Sequence, residues 1–418
     1  MSIPAWLHQR LTAAGGSVPF SLFMAWALHD PDHGAYGAGR LRLGRHGDFA
    51  TAPSLGEDFA ALLAPQLAEW LQELAPDDPA VHLSLVETGP GEGDLAAQLA
   101  EALAAGWPPL AARTELVLVE PNGGMAARQR LRLRLRGCPL PVRWSGFEEL
   151  AARPVLGVVL AHEVLDALAV ERIVRGGDGW RQQRVVLHQG ALRLEQGEPL
   201  EPAAAASLQP LGLWPPGQQR PDGWCTELHP GLAPWLEACG RGVWRGRLLV
   251  IDYALEAWRY YGPQRANGTL MAYRGQRASA DPLVEPGAWD LTAHLCIDSL
   301  LAAAAASGWA TLGQCRQGEA LLALGLAERL HGLQHQEDAE LGDLLSRREA
   351  LLRLVDPTAL GDFRWLAFSR GEVAQESQVT HGSPASLPLF LREPSPPKAA
   401  AAEAGRAATE TAPTPPAP

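Results

Sequence analysis

Four apolar runs in this chain end in residues that can do chemistry. Leu83-Ser84-Leu85-Val86 leads into Glu87-Thr88-Gly89-Pro90-Gly91-Glu92-Gly93, and Leu116-Val117-Leu118-Val119 leads into Glu120. Val155 to Ala161 ends at His162-Glu163, and Leu248 to Ile251 ends at Asp252-Tyr253. Gly89, Gly91 and Gly93 let the main chain turn tightly and let a ligand come close to it. The G-x-G-x-G spacing is looser than the dinucleotide pattern, and plain strand-to-helix turns also carry it. Charge narrows the ligand. Glu87, Glu92 and Asp94 crowd the turn with negative charge, which suits a cation and repels a pyrophosphate. Glu120, at the end of the next strand, is placed to accept both hydroxyls of an adenosine ribose. S-adenosylmethionine, with a sulfonium, an ammonium and no phosphate, meets these demands better than NAD.

The elements that must position these residues read as α/β. Leu95 to Leu103 has helical periodicity after the glycine turn. Repeated apolar strands with acidic ends, separated by helices, predict a parallel sheet. Ligands sit beyond the carboxyl ends of such strands, so all four ends should face one crevice. Upstream, Phe20, Phe23, Met24 and Ala27 mark one helix, and Phe59, Leu62, Leu63, Leu67 and Trp70 another. A polar, glycine-rich loop, Asp30 to Pro53, lies between them. Val170–Val174 and Arg184–Leu187 flank Gly176-Gly177 as an inserted hairpin, Glu198 to Gly223 reads as loop, and Phe363 to Ser369 as a closing strand. The expected division is an N-terminal helical region with a donor-covering loop (1–75), a Rossmann-like domain with insertions (76–375) and a disordered Pro/Ala-rich tail (376–418).

The 418 residues suffice for one large α/β domain with insertions or for two smaller ones, and 47% hydrophobic with 20% charged residues is ordinary for a globular protein. A net charge of -12 argues against a nucleic-acid partner. Arg128, Arg130, Arg132, Arg134 and Arg136 form a local basic stripe that also reads as a solvated helix face. The five cysteines are odd in number, scattered and without a C-x-x-C pair, which fits a reducing compartment and no structural zinc. The N-terminus lacks a signal pattern, and the alanine run Ala302 to Ala306 is too short to span a bilayer. The expectation is a cytoplasmic protein without membrane insertion.

Ordered blocks then carry a resemblance. Phe20 to Met24, Gly34-Ala35-Tyr36-Gly37, Gly47-Asp48-Phe49-Ala50-Thr51-Ala52-Pro53, Glu87 to Gly93, His162-Glu163-Val164-Leu165-Asp166-Ala167, Asp252-Tyr253, Gly268 to Arg274 and Asp290 to His294 follow one another in the order of a known family. From about Phe20 to Ser369 the chain resembles the MidA family of S-adenosylmethionine-dependent methyltransferases, which includes a mitochondrial arginine methyltransferase that assists assembly of respiratory complex I. It departs from the family at His162 (usually Asn), Ala169, Ala254, Asn267, Gln276 and Ser54.

The resemblance implies a Rossmann-like class I methyltransferase fold. Gly89, Gly91, Gly93 and Glu120 would bind the donor, Glu87 would anchor the turn or the donor's amino group, and the loop with Asp48, Phe49 and Thr51 would close over it. That loop also reads as an ordinary polar loop. For an arginine acceptor, a guanidinium must be oriented and must lose a proton as it reacts. Paired carboxylates do this by bidentate contact, and Glu163 and Asp166, three apart, would share a helix face. Asp166 equally reads as a helix cap or a partner of Arg172. His162 is either a base or a hydrogen-bonding stand-in for Asn. Asp252 and Tyr253 either touch the acceptor or form a structural strand end; Tyr273, Asp290 and His294 fall in an implied lid or acceptor wall. Asp290 and His294 have i, i+4 spacing but no third ligand at metal-site spacing, so no metal is expected. The implied acceptor is a protein, a subunit of a respiratory or NDH-1-type complex, and a homodimer is compatible with the family. The alternative is an assembly factor that binds the donor and has lost transfer.

Overall fold

The computed structural model describes residues 3–44, 47–48, 50–177, 179–200, 204–205, 208–213, 220–335, 340–371 and 387–393. In chain order the helices and strands that build the site are α1 (Ala5–Ala13), β1 (Ser17–Pro19), α2 (Phe20–His29), α3 (Asp58–Leu74), β2 (Leu83–Thr88), α4 (Asp94–Gly106), α5 (Pro108–Ala111), β3 (Thr114–Val119), α6 (Gly123–Arg136), β4 (Val142–Ser145), α7 (Phe147–Ala152) and β5 (Val155–His162). Then come β6 (Glu171–Gly176), β7 (Gly179–His188), β8 (Ala191–Pro199), β9 (Cys225–Leu228), β10 (Val243–Asp252), β11 (Ala254–Leu255), β12 (Met271–Arg274), β13 (Arg277–Ser279), β14 (Asp290–Thr292), β15 (Leu295–Cys296), β16 (Ala310–Arg316) and β17 (Arg364–Arg370).

The central sheet has seven strands in the order β16-β17-β10-β5-β2-β3-β4. The pairs from β10 through β4 are parallel; β17 runs antiparallel to both of its neighbours. Because the side-chain period of a strand is two, each strand feeds both faces. Leu83, Leu85, Leu116, Leu118, Val158 and Leu160 pack with α3 and α4. Val86, Val117, Val159, Leu248 and Val250 pack with the helices Leu232–Gly242 and Ile297–Ala306. Burial on both faces is why these strands read as unbroken apolar runs. The chain leaves β2 towards β3 on one side and leaves β5 towards β10 on the other. The crevice therefore opens at the carboxyl ends of β2 and β5, the switch point of a doubly wound sheet.

A second sheet, β1-β7-β6-β9 with β8 on β7, is the expected hairpin enlarged by three strands. Its buried side packs on α1 and α2 through Leu7, Leu11, Phe20, Phe23 and Val185. The third small sheet, β13-β12-β14, rests on the same cluster through Ala272 and Leu291. Among the described residues no helix is long and apolar enough to cross a membrane.

One expectation is corrected at the C-terminus. The segment expected to be disordered from 376 contains a docked piece, Leu389–Leu391. Phe390 is 2% exposed, with its ring 5.4 Å from Trp365 and 6.2 Å from Trp70. The Phe390 N–H donates to Gln66 Oε1 at 3.3 Å and Arg392 pairs with Glu69 at 2.8 Å, so an apolar socket and two polar ties hold the short segment. The rest of the expected tail lies outside the described residues. Phe390→Ala should lower stability by about 3–5 kcal/mol, the usual cost of emptying a buried aromatic site. Urea denaturation of the full chain checks it, and a midpoint equal to wild type would show that the segment does not dock.

Candidate functional site

The turn after β2 is built as its glycines require. Gly89, Gly91 and Gly93 have φ of 58°, 53° and 86°, in the left-handed region that side chains avoid. Space forbids a side chain as well. A Cβ on Gly89 would meet Val164 Cγ2 at 2.9 Å, and one on Gly91 would meet Leu43 Cδ1 at 2.7 Å. The turn forms the floor of a cavity of about 830 Å³, walled by Tyr36, Leu43, Thr51, Glu120, Asn122 and Glu163 among others. That volume is in the range of small-molecule and cofactor sites.

Electrostatics favour a cation here. Glu87 is buried at the cavity, and its Oε2 has no hydrogen-bond partner. Burial, and then the neighbouring Asp94, push its carboxyl up to about 8. Glu92 and Asp94 have partners: Arg128 at 3.2 Å and Arg132 at 3.4 Å. Arg136 pairs with Glu101 and Glu57. Arg128, Arg132 and Arg136 of the stripe are thus ion-paired, Arg130 lies over the Trp144 ring, and Glu87 is the carboxyl of the turn without a counter-charge among the described residues. Glu120 sits where β3 ends, accepting the Asn122 N–H at 2.8 Å and the Gln129 side-chain amide at 2.9 Å. Burial raises its carboxyl too. Each of its oxygens keeps a lone pair for a ribose hydroxyl. An unpartnered carboxylate for the ammonium, a strand-end carboxylate for the ribose and a turn without room for Cβ atoms fit S-adenosylmethionine.

The loop expected to cover the donor is only partly there. Thr51 lines the cavity. Asp48 does not: its Oδ1 accepts the Gly275 N–H at 3.0 Å and its Oδ2 the Arg42 N–H at 2.9 Å. It pins the loop to the β12–β13 turn and is not among the residues that wall the cavity. Phe49 lies outside the described residues.

On the other side of the crevice, Glu163 follows β5 with φ 52°, and its N–H donates to the Ile251 carbonyl at 2.9 Å. Its carboxyl is buried, Oε1 has no hydrogen-bond partner, and burial followed by Asp166 raises its pKa well above the ordinary value. His162 Nε2 is 3.6 Å from that oxygen. Burial lowers the imidazole to about 3, so it holds a proton weakly near neutral pH, which speaks against the base reading of His162. Glu163 and Asp166 do not lie on a helix; residues 163–168 form a turn. The turn is set by Asp252, whose Oδ2 accepts the N–H groups of Leu165 at 3.0 Å and Asp166 at 3.2 Å, while Oδ1 accepts that of Tyr253 at 2.8 Å. Asp252 is therefore a staple between the end of β10 and the turn after β5, the structural strand end of its two readings. Asp166 is raised to about 7 and Asp290 to about 8, both chiefly by burial. Tyr253 and His294 line a separate pocket of about 320 Å³ with Leu360 and Asp362. Tyr273 on β12 is half-buried, near Asp166 and Asp290, whose charges raise its phenol after burial does.

Two residues here escaped the sequence reading. Asn122 caps α6 by accepting the Met125 N–H at 2.8 Å, and an Asn just before a helix after a strand end is a readable cap signal. Tyr36 stood in the sequence only as part of the Gly34-Ala35-Tyr36-Gly37 block, with no sign of its donation to Asp290 Oδ2 at 3.0 Å, because that partner is 254 residues away.

Two outcomes follow for the donor. Gly91→Ala should abolish binding of S-adenosylmethionine in calorimetry, since the backbone and Leu43 must both give; binding within about twofold of wild type would place the donor elsewhere. Glu87 binds a cation only when ionised. Affinity should therefore rise from pH 6 to pH 7.5 as the carboxyl approaches its raised value of about 8. A proton should be released on binding, and Glu87→Gln should flatten the dependence. A flat wild-type profile would remove Glu87 from the donor contact.

Comparison with known proteins is consistent with this geometry. The family model for S-adenosyl-L-methionine-dependent methyltransferases matches residues 62–315. A Burkholderia thailandensis protein described as a methyl transferase, solved bound to S-adenosyl-homocysteine, is 30% identical with a TM-score of 0.78, over 93% of this chain and 94% of that one. The Drosophila melanogaster protein arginine methyltransferase NDUFAF7 homolog is 27% identical over 393 residues, 86% of this chain and 83% of the relative. Human protein arginine methyltransferase NDUFAF7 is 25% identical over 374 residues, 83% of this chain and 78% of the relative. These relatives are named as mitochondrial proteins, which overturns the expected cytoplasmic location. Free thiols and an acidic balance belong to any reducing compartment and never singled out the cytoplasm. With the matched residues holding the parallel strands β2 to β5 and β10, the glycine turn and the acidic strand ends, the chain belongs to the S-adenosyl-L-methionine-dependent methyltransferase family.

Proposed function

We propose that the chain methylates an arginine side chain of a protein acceptor, and that this acceptor is a subunit of a respiratory or NDH-1-type complex. The observation that carries the arginine is the pair of buried carboxylate oxygens, Glu163 Oε1 and Asp290 Oδ1, that have no hydrogen-bond partner among the described residues. A guanidinium supplies N–H donors in a planar fork that suits such oxygens. The relatives named as protein arginine methyltransferases support the same acceptor, and the family resemblance is what suggests the complex.

The bound donor supplies an electrophilic methyl on a sulfonium. The residues of this chain do the rest. Glu87 and Glu120 hold the donor's charged and hydroxyl groups, and the glycine turn lets it lie against the main chain. Glu163, beside Val164 at the end of the turn's facing strand, orients the guanidinium. As the nitrogen forms its bond to carbon and the carbon–sulfur bond breaks, the nitrogen's proton passes to the Glu163 carboxylate. The raised affinity of Glu163 for a proton, caused by burial and Asp166, suits that task. A cationic acceptor lowers it again on entry, so the carboxylate form is present when it is needed.

Tritiated S-adenosylmethionine with lysate protein, followed by mass spectrometry of the labelled species, tests the reading. Glu163→Gln should lower transfer by about 10²–10⁴-fold with donor binding retained, the range for a lost general base. Transfer at the wild-type rate would exclude Glu163 as proton acceptor. Donor binding with no transfer by the wild type would instead make the chain a donor-binding assembly factor.

A further inference from the structure

One run of hydrogen bonds joins the donor side of the crevice to the acceptor side. Glu120 Oε1 accepts the Asn122 main-chain N–H at 2.8 Å. The Asn122 side-chain amide donates to the Tyr36 carbonyl at 3.3 Å, and also to the Gly37 carbonyl. The Tyr36 hydroxyl donates to Asp290 Oδ2 at 3.0 Å. Two residues thus connect the carboxylate after β3 with the carboxylate that opens β14.

Tyr36 is held firmly enough to act as a strut. Its N–H donates to the Leu28 carbonyl at 2.9 Å, and its ring stacks on His29 at 6.1 Å between centroids. It also lines the donor cavity. Its hydroxyl occupies one oxygen of Asp290 and leaves the other, Oδ1, buried and without a partner. We propose that Tyr36 is a positioning residue for methyl transfer: it fixes the Asp290 carboxyl so that Oδ1 is free for a cationic N–H of the acceptor, and it ties that orientation to the donor-side pair Asn122 and Glu120. The inference rests on the acceptor side proposed above. In-line displacement makes such a strut valuable, because small errors in the approach of the two reactants cost large factors in rate. A purely structural clip between the segment after α2 and β14 would show the same bonds, so the test must read the chemistry.

The groups that face Asp290 are Asp166 and Asp48, which raise its carboxyl, Tyr36, whose hydroxyl bond lowers it, and Glu163 and Tyr273, which feel its charge. Removing the hydroxyl therefore moves Asp290 to a higher pKa, and any rate that needs it ionised rises at higher pH.

The full-length wild type and Tyr36→Phe are compared with tritiated S-adenosylmethionine as the varied substrate and lysate protein held fixed. The expected apparent kcat falls about tenfold and the donor KM stays within about twofold, as for a lost bond to a charged group that does not touch the donor. The rising limb of the pH profile moves to higher pH. Asp290→Asn removes the part of that limb set by Asp290 and leaves the part set by Glu163, and Tyr36→Phe added to it shifts the limb no further and changes kcat little. An unchanged kcat and pH limb in Tyr36→Phe overturns the proposal, as does a loss of donor affinity large enough to account for the whole effect. Mass spectrometry of the wild-type product reads the acceptor separately: a methyl on another side chain removes the arginine reading and leaves the Tyr36 comparison intact. A wild type that binds donor and labels no protein overturns both.

Discussion

Where β10 ends, the Asp252 carboxylate gathers three main-chain N–H groups, two from the turn after β5 and one from its own neighbour. Buried amides must find acceptors, and these would otherwise have none of comparable strength. The bonds lock the end of β10 to the turn that carries Glu163 and Asp166. Glu163 is a non-glycine residue in the left-handed region, a conformation that costs about 1–3 kcal/mol and persists only where the surroundings fix it. Its own N–H, tied to the carbonyl of Ile251, is the other half of that constraint. Relaxing the turn would swing the Glu163 carboxyl out of the cavity, so a residue outside the cavity lining sets the geometry of one within it.

Charge placement in the chain is selective. Elsewhere a buried carboxylate is given a guanidinium: Arg172 lies 3.4 Å from Glu227, in a cluster closed by Tyr260 and Thr269. Around the glycine turn, the arginines of α6 neutralise Glu92 and Asp94. Among the described residues Glu87, Glu163, Asp166 and Asp290 receive no such partner, and burial makes them hold their protons more tightly. Leaving buried carboxyls without counter-charge is costly, and groups in that position normally neutralise themselves. A cation arriving as ligand supplies the missing charge. Both substrates of the proposed reaction are cations, which gives one physical reason for the unpaired acids on both sides of the crevice.

The donor half was legible because its pieces are close in sequence. Glu87 to Gly93 is one turn, Glu120 is one strand end, and the flanking apolar runs announce a sheet buried on both faces. The acceptor half was legible only as a set of residue types. Asp252 and Glu163 were found, but their roles differ, and spacing alone could not separate a staple from a ligand contact. Glu163 and Asp166 at i, i+3 suggested a helix; the three-bond hold of Asp252 made a turn instead. Asp48 looked like a donor contact and proved to be a clamp, since its partner amide belongs to Gly275, 227 residues away. The short strand β4 was missed because only four residues, two of them polar, form it.

That separation in sequence bears on how the enzyme is assembled. The site spans both regions expected at 1–75 and 76–375: Tyr36 reaches Asp290, Asp48 reaches the β12–β13 turn, and Asn122 reaches back to Tyr36. The Rossmann-like sheet can present a glycine turn by itself, but it cannot close a cavity over it. Closure needs long-range contacts whose chain entropy must be overcome before they reward the fold. Segments that carry no reacting group, such as 34–43, consequently govern both half-sites at once. The shape of the cavity in this chain depends on the fit of the N-terminal segment to the small β12–β14 sheet as much as on the glycine turn beneath it.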